Sequence, residues 1–351
     1  NTNLLCFNNG VIDFRDKIFR PGIPEDNISK STNIEYVKYD VSKQKQIIDE
    51  INDFMEKLFP NRDLRNYMWD HLASTLIGDN NDQTFNIYNG CGSNGKSKLI
   101  ELMSECLGDY KVTVPIQLVT QKRTSIGSTS SEIVQLMGTR FAVMQEPRKG
   151  DQLNEGILKE ITGGDPLQGR ALFKESVTFI PQFKLVVCTN TLLDVNSNDE
   201  GTWRRIRLCD FVSKFVDDQP NYSPEKEIYQ FKKDKNLGIK IKNWAPVFTS
   251  MLVERAFKTH GLVEDCSVVL AKSQKYRNTQ DCFSEFISDR IVVEEGQRIT
   301  QTTLKAEFKD WYELQYGGKL PRGKDLFDYI SLKYGKKERD GWKNITFVEE
   351  D

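Results

Sequence analysis

Residues 90–97 read Gly90-Cys91-Gly92-Ser93-Asn94-Gly95-Lys96-Ser97, the full Gly-x-x-x-x-Gly-Lys-Ser/Thr pattern. A loop of this composition lets backbone N–H groups close around phosphate oxygens, because glycine permits an approach that a Cβ would block. Lys96 is then placed to reach the β- and γ-phosphates and Ser97 to offer its hydroxyl to Mg²⁺. All eight residues are candidate ATP-binding residues.

A second constellation is Phe141-Ala142-Val143-Met144-Gln145-Glu146, an apolar run that ends in an acid. Glu146 at that end either deprotonates the water that attacks the γ-phosphate or holds Mg²⁺ through water. A third is Leu185-Val186-Val187-Cys188-Thr189-Asn190, an apolar run that ends in an amide. Asn190 there contacts the γ-phosphate or the attacking water, or is simply a turn former. The fourth is Trp203-Arg204-Arg205-Ile206-Arg207-Leu208. Drawn as an extended strand, it puts Arg205 and Arg207 on one face and Ile206 and Leu208 on the other. Arg205 is thereby expected to leave its own core and reach a neighbouring subunit's site, with Arg204 bracing the strand or the interface. A basic surface strand is the alternative.

These groups need a scaffold that collects them. Residues 83–215 alternate strand and helix, with strands expected at Phe85–Tyr88, Phe141–Met144 and Leu185–Thr189. Their apolar content fits a largely parallel sheet covered on both faces. After the glycine loop, Leu99, Leu102, Met103, Cys106 and Leu107 fall on one helical face and Gly108 can end the helix, so phosphate would meet a helix N-terminus. Upstream, residues 43–78 show helical spacing interrupted at Pro60-Asn61. Residues 216–240 read as an irregular lysine-rich connection, followed by a helix around Ala245–Thr259. From 281 onward, helices near Phe283–Ile291, Thr303–Leu314 and Lys324–Lys333 lead to a hairpin turning at Asp340-Gly341.

Composition removes several classes. The formal net charge of −2 argues against a passive nucleic-acid coat. With two histidines and no Cys-x-x-Cys pair among seven cysteines, neither a structural zinc site nor Ser-His or Cys-His hydrolysis is expected. Scattered thiols suit a reducing, intracellular compartment. No apolar run has the length of a membrane span, so no membrane partner is expected. The first residue is Asn1, and the chain reads as part of a longer protein.

The ordered set of the glycine loop, Glu146, Gly163-Gly164-Asp165 with Arg170, Asn190 and Trp203-Arg204-Arg205 resembles superfamily-3 helicases. It is most similar to the primase–helicases of poxviruses and other large nucleocytoplasmic DNA viruses. The run from Leu4 to Asp13, with Phe19-Arg20 and Pro24-Glu25-Asp26, resembles the segment those proteins carry just before the motor. The resemblance implies an α/β, AAA+-like P-loop ATPase preceded by a helical collar and followed by a winged-helix domain. It implies a replicative DNA helicase that encircles DNA as a homo-hexamer, uses ATP and Mg²⁺, works with replication proteins and carries a primase domain upstream. The setting implied is host cytoplasm or a viral factory. Lys96 and Ser97 match the nucleotide and Mg²⁺ residues, Glu146 the catalytic acid, Asn190 the γ-phosphate sensor and Arg205 the finger acting in trans.

The domain boundaries expected on this basis are 1–42 for the end of a linking region, 43–80 for the collar and 81–215 for the ATPase. A helical connection, 216–280, and the C-terminal domain, 281–351, follow. A hairpin pairing Ala171–Phe173 with Val177–Ile180, with Lys174-Glu175 at its tip, is expected to project into the ring's channel. Lys174 is the expected phosphate contact, with Arg170 and Lys159 as further candidates; an exposed lysine without a partner is the alternative. Two other functions fit a P-loop: a DNA-loading ring that recruits other proteins without unwinding, and a small-molecule kinase. A kinase needs neither the Asn190 strand end, nor the arginine pair, nor the hairpin.

Overall fold

The computed structural model describes residues 1–121, 129–195, 199–316, 320–321 and 323–348. They form two units, residues 1–195 with 199–274, and residues 275–348.

The first unit opens with a small antiparallel sheet of β1 (Leu4–Phe7), β2 (Gly10–Asp13) and β3 (Ile18–Arg20). Behind β3, Arg20 grips Asp26 through two hydrogen bonds of 2.7 and 2.9 Å, a fork-to-carboxylate pairing that closes the turn. Two helices follow, α1 (Val41–Leu58) and α2 (Arg62–Ser74). Asp40 caps α1 by accepting from the Ser42 and Lys43 amides, Pro60 stops the run, and Asn61 caps α2 by accepting from the Leu64 amide at 3.0 Å.

The central sheet contains β4 (Phe85–Asn89), β5 (Lys111–Thr113), β6 (Phe141–Gln145), β9 (Lys184–Thr189) and β10 (Ile206–Asp210). All its pairings are parallel, in the order β10-β4-β9-β6-β5. Between these strands run α3 (Lys96–Leu107), α4 (Gln117–Thr120), α5 (Ser131–Gln135), α6 (Glu155–Thr162) and α7 (Glu200–Trp203). A hairpin of β7 (Leu167–Arg170) and β8 (Ser176–Phe179) stands apart from the sheet.

After β10 the chain does not run irregularly. Residues 214–232 build a small sheet of β11 (Lys214–Val216), β12 (Tyr222–Ser223) and β13 (Ile228–Lys232), held by contacts among Phe215, Tyr222, Tyr229 and Phe231. The helix expected from Ala245 begins earlier, as α8 (Leu237–Thr259), and α9 (Ser267–Thr279) follows.

The stretch expected as a helical collar shares the core of the first unit. Ile51, Met55, Leu58, Met68 and Leu72 share one buried cluster with Leu102 and Met103 of α3, Val143 and Val186 of the sheet, and Trp244 and Phe248 of α8. The apolar faces of α1 and α2 are buried within the chain, in part against α8.

In the second unit, α10 (Cys282–Arg290), α11 (Gln301–Gln315) and α12 (Gly323–Tyr334) fall where helices are expected. The expected terminal hairpin is replaced by a long-range pairing. β14 (Ile291–Ile299) pairs antiparallel with β15 (Trp342–Phe347), and only a bridge closes the Glu338–Gly341 turn. Gly341 has φ +125°, and a Cβ there would sit 2.1 Å from the Ile299 carbonyl oxygen, so glycine is what lets the turn lie against β14.

Candidate nucleotide site

The glycine loop leaves the C-terminal end of β4 and enters α3 at Lys96. Gly95, the N-cap, sits at φ +85°, and a Cβ there would be 2.3 Å from Leu58 Cδ2. A Cβ on Gly90 would be 2.4 Å from Asn94 Nδ2 and 2.7 Å from the Phe211 carbonyl oxygen. Both glycines are therefore dictated by sterics. Gly92 has open space around it, on an exposed stretch with Cys91 and Ser93. Asn94 is buried and accepts from the Lys96 amide at 3.4 Å. Ser97 is exposed at the first turn of α3.

Parallel register brings the three strand ends together. The Gly90 amide donates to the Thr189 carbonyl at 3.2 Å, and the Glu146 amide to the Cys188 carbonyl at 3.0 Å. The end of β9 is thus flanked by the loop on one side and Glu146 on the other. Lys96 spans this junction: its Nζ donates to Asn190 Oδ1 at 3.0 Å and also to the Gly90 carbonyl. Burial lowers the Lys96 pKa, and Cys188, Cys91 and Glu146 nearby act in the opposite direction.

Glu146 is exposed and has φ +46°, a disfavoured value for a residue with a side chain. It is the first residue past β6, so the chain leaves the strand conformation there. Gln145 beside it is exposed too. Ser97 and Glu146 are hard oxygen donors, which fits Mg²⁺, an ion that takes one or two protein ligands and completes its shell with water and phosphate.

The arginines do not follow strand parity. Residues 204 and 205 form the turn between α7 and β10, so only Arg207 belongs to the strand. Arg205 is 8% exposed; its guanidinium donates to Gln83 Oε1 at 3.0 Å and to the Gly201 carbonyl. Arg207 forks onto Asp265 at 2.7 and 3.1 Å. Arg204 is the exposed one of the three turn and strand arginines, touching Gln83 Oε1 at 3.0 Å. The expectation that Arg205 faces outward is corrected here, because a turn does not preserve alternation. Gln83, which holds both Arg204 and Arg205, carries no sequence signal.

Arg204 and Arg205 also lie at the wrong end of the sheet for their own loop. Ile206 pairs with Phe85 and Asp210 with Asn89, so the arginines sit at the start of β4 and the loop at its end. Four residue steps separate those ends, about 13 Å.

The hairpin is displaced from its expected place. Leu167 pairs with Phe179 and Arg170 with Ser176, so Ala171–Phe173 belongs to the tip rather than to a strand. Leu167 and Gly169 face inward, where a Cβ on Gly169 would be 2.9 Å from Ile133, and this packing sets the register. Lys174 is exposed, and its ammonium makes no ion pair among the described residues. Arg170 instead donates through Nε to the Lys174 carbonyl at 3.1 Å, and Lys159 pairs with Asp199. Of the three expected phosphate contacts, Lys159 is ion-paired and Arg170 is hydrogen-bonded, while the Lys174 ammonium has no ion-pair partner among the described residues.

Residues 1–59 match the family described as D5 N terminal like. Over 338 residues the chain is 36% identical to a protein of Acanthamoeba polyphaga mimivirus named "Putative helicase", covering 94% of this chain and 35% of that one. The chain belongs to the primase–helicase family of large DNA viruses. Further family members similar to it are a "Putative helicase" of Invertebrate iridescent virus 3, 29% identical over 97% of this chain and 38% of that protein, and a "Putative primase" of African swine fever virus, 26% identical over 95% and 36%. The chain thus spans little more than a third of the length of these relatives. Residues 88–205, which hold the candidate site, match a family of unknown function (DUF5906). Among solved structures, the apo C-terminal region of NrS-1 is similar at 13% identity, covering 91% of this chain and 78% of that one with a TM-score of 0.47. No described helix is long and apolar enough to cross a membrane.

Proposed function

We propose that this chain is the ATP-driven motor of a replicative DNA helicase of superfamily 3, working as a homo-hexameric ring with each ATP site shared between neighbours. The observation that carries the reading is the Lys96–Asn190 bond of 3.0 Å, which joins the phosphate loop to a second strand end with Glu146 alongside. A P-loop kinase needs no such strand-end amide.

In the nucleotide-free arrangement the Lys96 ammonium rests on neutral oxygens. A bound phosphate gives it a charged partner, which makes the stronger hydrogen bond. That releases the Asn190 amide to turn toward the γ-phosphate or the attacking water. Glu146 takes the proton from that water. Bound with the nucleotide, Mg²⁺ supplies charge neutralisation on the phosphates, with Ser97 and Glu146 as its protein-side partners. The distance from Arg204 and Arg205 to their own loop favours action on the next subunit's nucleotide, and exposure favours Arg204 as the finger with Arg205 holding the turn. Lys174 faces DNA phosphate from the hairpin tip, so one lysine repeated around a ring makes a positive channel in a near-neutral protein. The order helix, strand, helix, helix, strand in the second unit is compatible with a winged helix. In this reading a primase domain precedes Asn1 in the whole protein, which works with other replication proteins.

The test is ATP-dependent strand displacement on a forked duplex, with mass measurement of the complex formed with DNA and an ATP analogue. A six-fold assembly that displaces the strand is expected. ATP hydrolysis and ring formation without displacement would leave a DNA-loading scaffold; a stable monomer with DNA and nucleotide would overturn the shared site.

A further inference from the structure

The hairpin carries an unusual side chain at its tip. Phe173 is 95% exposed, the highest value among the large hydrophobic residues described, and its neighbour Leu172 is 62% exposed. Single exposed apolar residues are common on protein surfaces, but this one also adopts φ +58°, a left-handed conformation that aromatic residues disfavour. Glycine or asparagine would make the same turn with less strain.

The tip that holds it is braced. The Ser130 amide donates to the Arg170 carbonyl at 2.8 Å, and the Arg170 amide to Ser130 Oγ at 3.0 Å. Beyond that pin, Arg170 Nε donates to the Lys174 carbonyl at 3.1 Å and the Lys174 amide to the Ala171 carbonyl at 3.1 Å. Below it, Gly169 sits tight against Ile133 and Val134. Phe173 is thus presented on a hydrogen-bonded turn, next to a lysine whose ammonium has no ion-pair partner among the described residues, and the two cations of 170–175 outweigh Glu175.

We propose that Phe173 is a base-stacking residue: its ring face packs on an unpaired base while Lys174 holds the adjoining phosphate, so the tip selects single-stranded over duplex nucleic acid. This deepens the DNA-motor reading and rests on it. A phenyl ring stacks on any base, because every base offers a π-face, and in a duplex those faces are already covered. A cation beside an exposed ring is the pairing that a single strand recognises, since each nucleotide supplies one phosphate and one flat base. The exposure of the ring leaves its face open to such a base.

The test uses the full 351-residue chain and two labelled oligonucleotides of equal length, oligothymidine and an abasic strand, with affinity read by anisotropy across a salt series. Wild type should prefer oligothymidine. Phe173→Ala should weaken oligothymidine binding by about 5- to 150-fold, the range for removing one stacking aromatic, to near the abasic level. Its salt slope should not change; Phe173→Trp should retain the preference. Lys174→Ala should weaken both strands and make the slope shallower. The ring is exposed, so its removal leaves the fold intact, which circular dichroism checks. Four outcomes would overturn the proposal: wild type that does not distinguish the two strands, Phe173→Ala that binds oligothymidine as wild type does while Lys174→Ala is weakened, Phe173→Ala that alters only the assembly mass, making the ring a contact between copies, or unchanged binding in both variants. The second would leave the DNA-facing hairpin standing; unchanged binding in both variants would remove the hairpin from the DNA path altogether.

Discussion

Lys96 and Asn190 are 94 positions apart in the chain, and their side chains meet at 3.0 Å. That contact joins the start of α3 to the residue that follows β9. In the proposed reading, an incoming phosphate would compete with the amide oxygen for the ammonium. Lys96→Ala should abolish ATP hydrolysis. Asn190→Ala should keep nucleotide affinity within a few-fold and lower turnover by about 10²- to 10³-fold, the scale for removing one transition-state donor. Fluorescent-nucleotide binding and phosphate release measure the two; wild-type turnover in Asn190→Ala would remove it from the reaction.

Glu146 differs from Lys96 in being exposed where Lys96 is buried. Glu146→Gln should bind ATP normally and fail to hydrolyse it, since the change removes a base and leaves the loop untouched. Loss of binding in equilibrium titration would instead give Glu146 a role in holding the nucleotide.

The two turn arginines should separate by stability. Arg204→Ala removes an exposed side chain, so thermal unfolding should barely move while turnover falls by ~10³-fold or more. Arg205→Ala breaks bonds to Gln83 and the Gly201 carbonyl, so it should lose about 1–3 kcal/mol of stability as well. Mixing Arg204→Ala with Lys96→Ala subunits should restore part of the ATPase activity, because some interfaces then pair an intact Lys96 with a neighbour's intact Arg204. No recovery, with subunit exchange shown by mass, would exclude a finger acting in trans; recovery with Arg205→Ala in its place would return the role to that residue.

His71 is buried between Tyr67 and Tyr88, and burial, with the charge of Lys184 adding to it, pushes its pKa from 6.5 down to about 3. The unfolded chain takes up this proton near pH 6.5, whereas the native chain resists it to about pH 3. The neutral histidine's contribution is therefore complete above pH 6.5 and is lost progressively as the pH falls between those values, with a limiting slope of ~1.4 kcal/mol per pH unit. Denaturant titrations of wild type and His71→Leu between neutral and mildly acidic pH should show the smaller slope in the variant. Equal slopes would mean that His71 is protonated in the native state.

Much of the site was legible from spacing alone. The glycine loop, the strands ending near Glu146 and Asn190, and the helix beginning at Lys96 are local patterns, written by backbone sterics and apolar periodicity within short windows. The helices around Pro60 and in the second unit were legible for the same reason. What local patterns do not carry is which strands become neighbours. The sheet order that inserts β9 between β4 and β6, the burial of α1 and α2 against α8, and the pairing of β14 with β15 all depend on contacts between distant segments. The arginines show the difference at single-residue scale. Their sequence marked a basic cluster, but a turn at 204–205 broke the alternation. Gln83 then drew Arg205 inward, because a buried guanidinium needs partners that only the folded chain supplies. The hairpin shows it again: packing of Leu167 and Gly169 on α5 moved the strand back and left Phe173 and Lys174 at the tip.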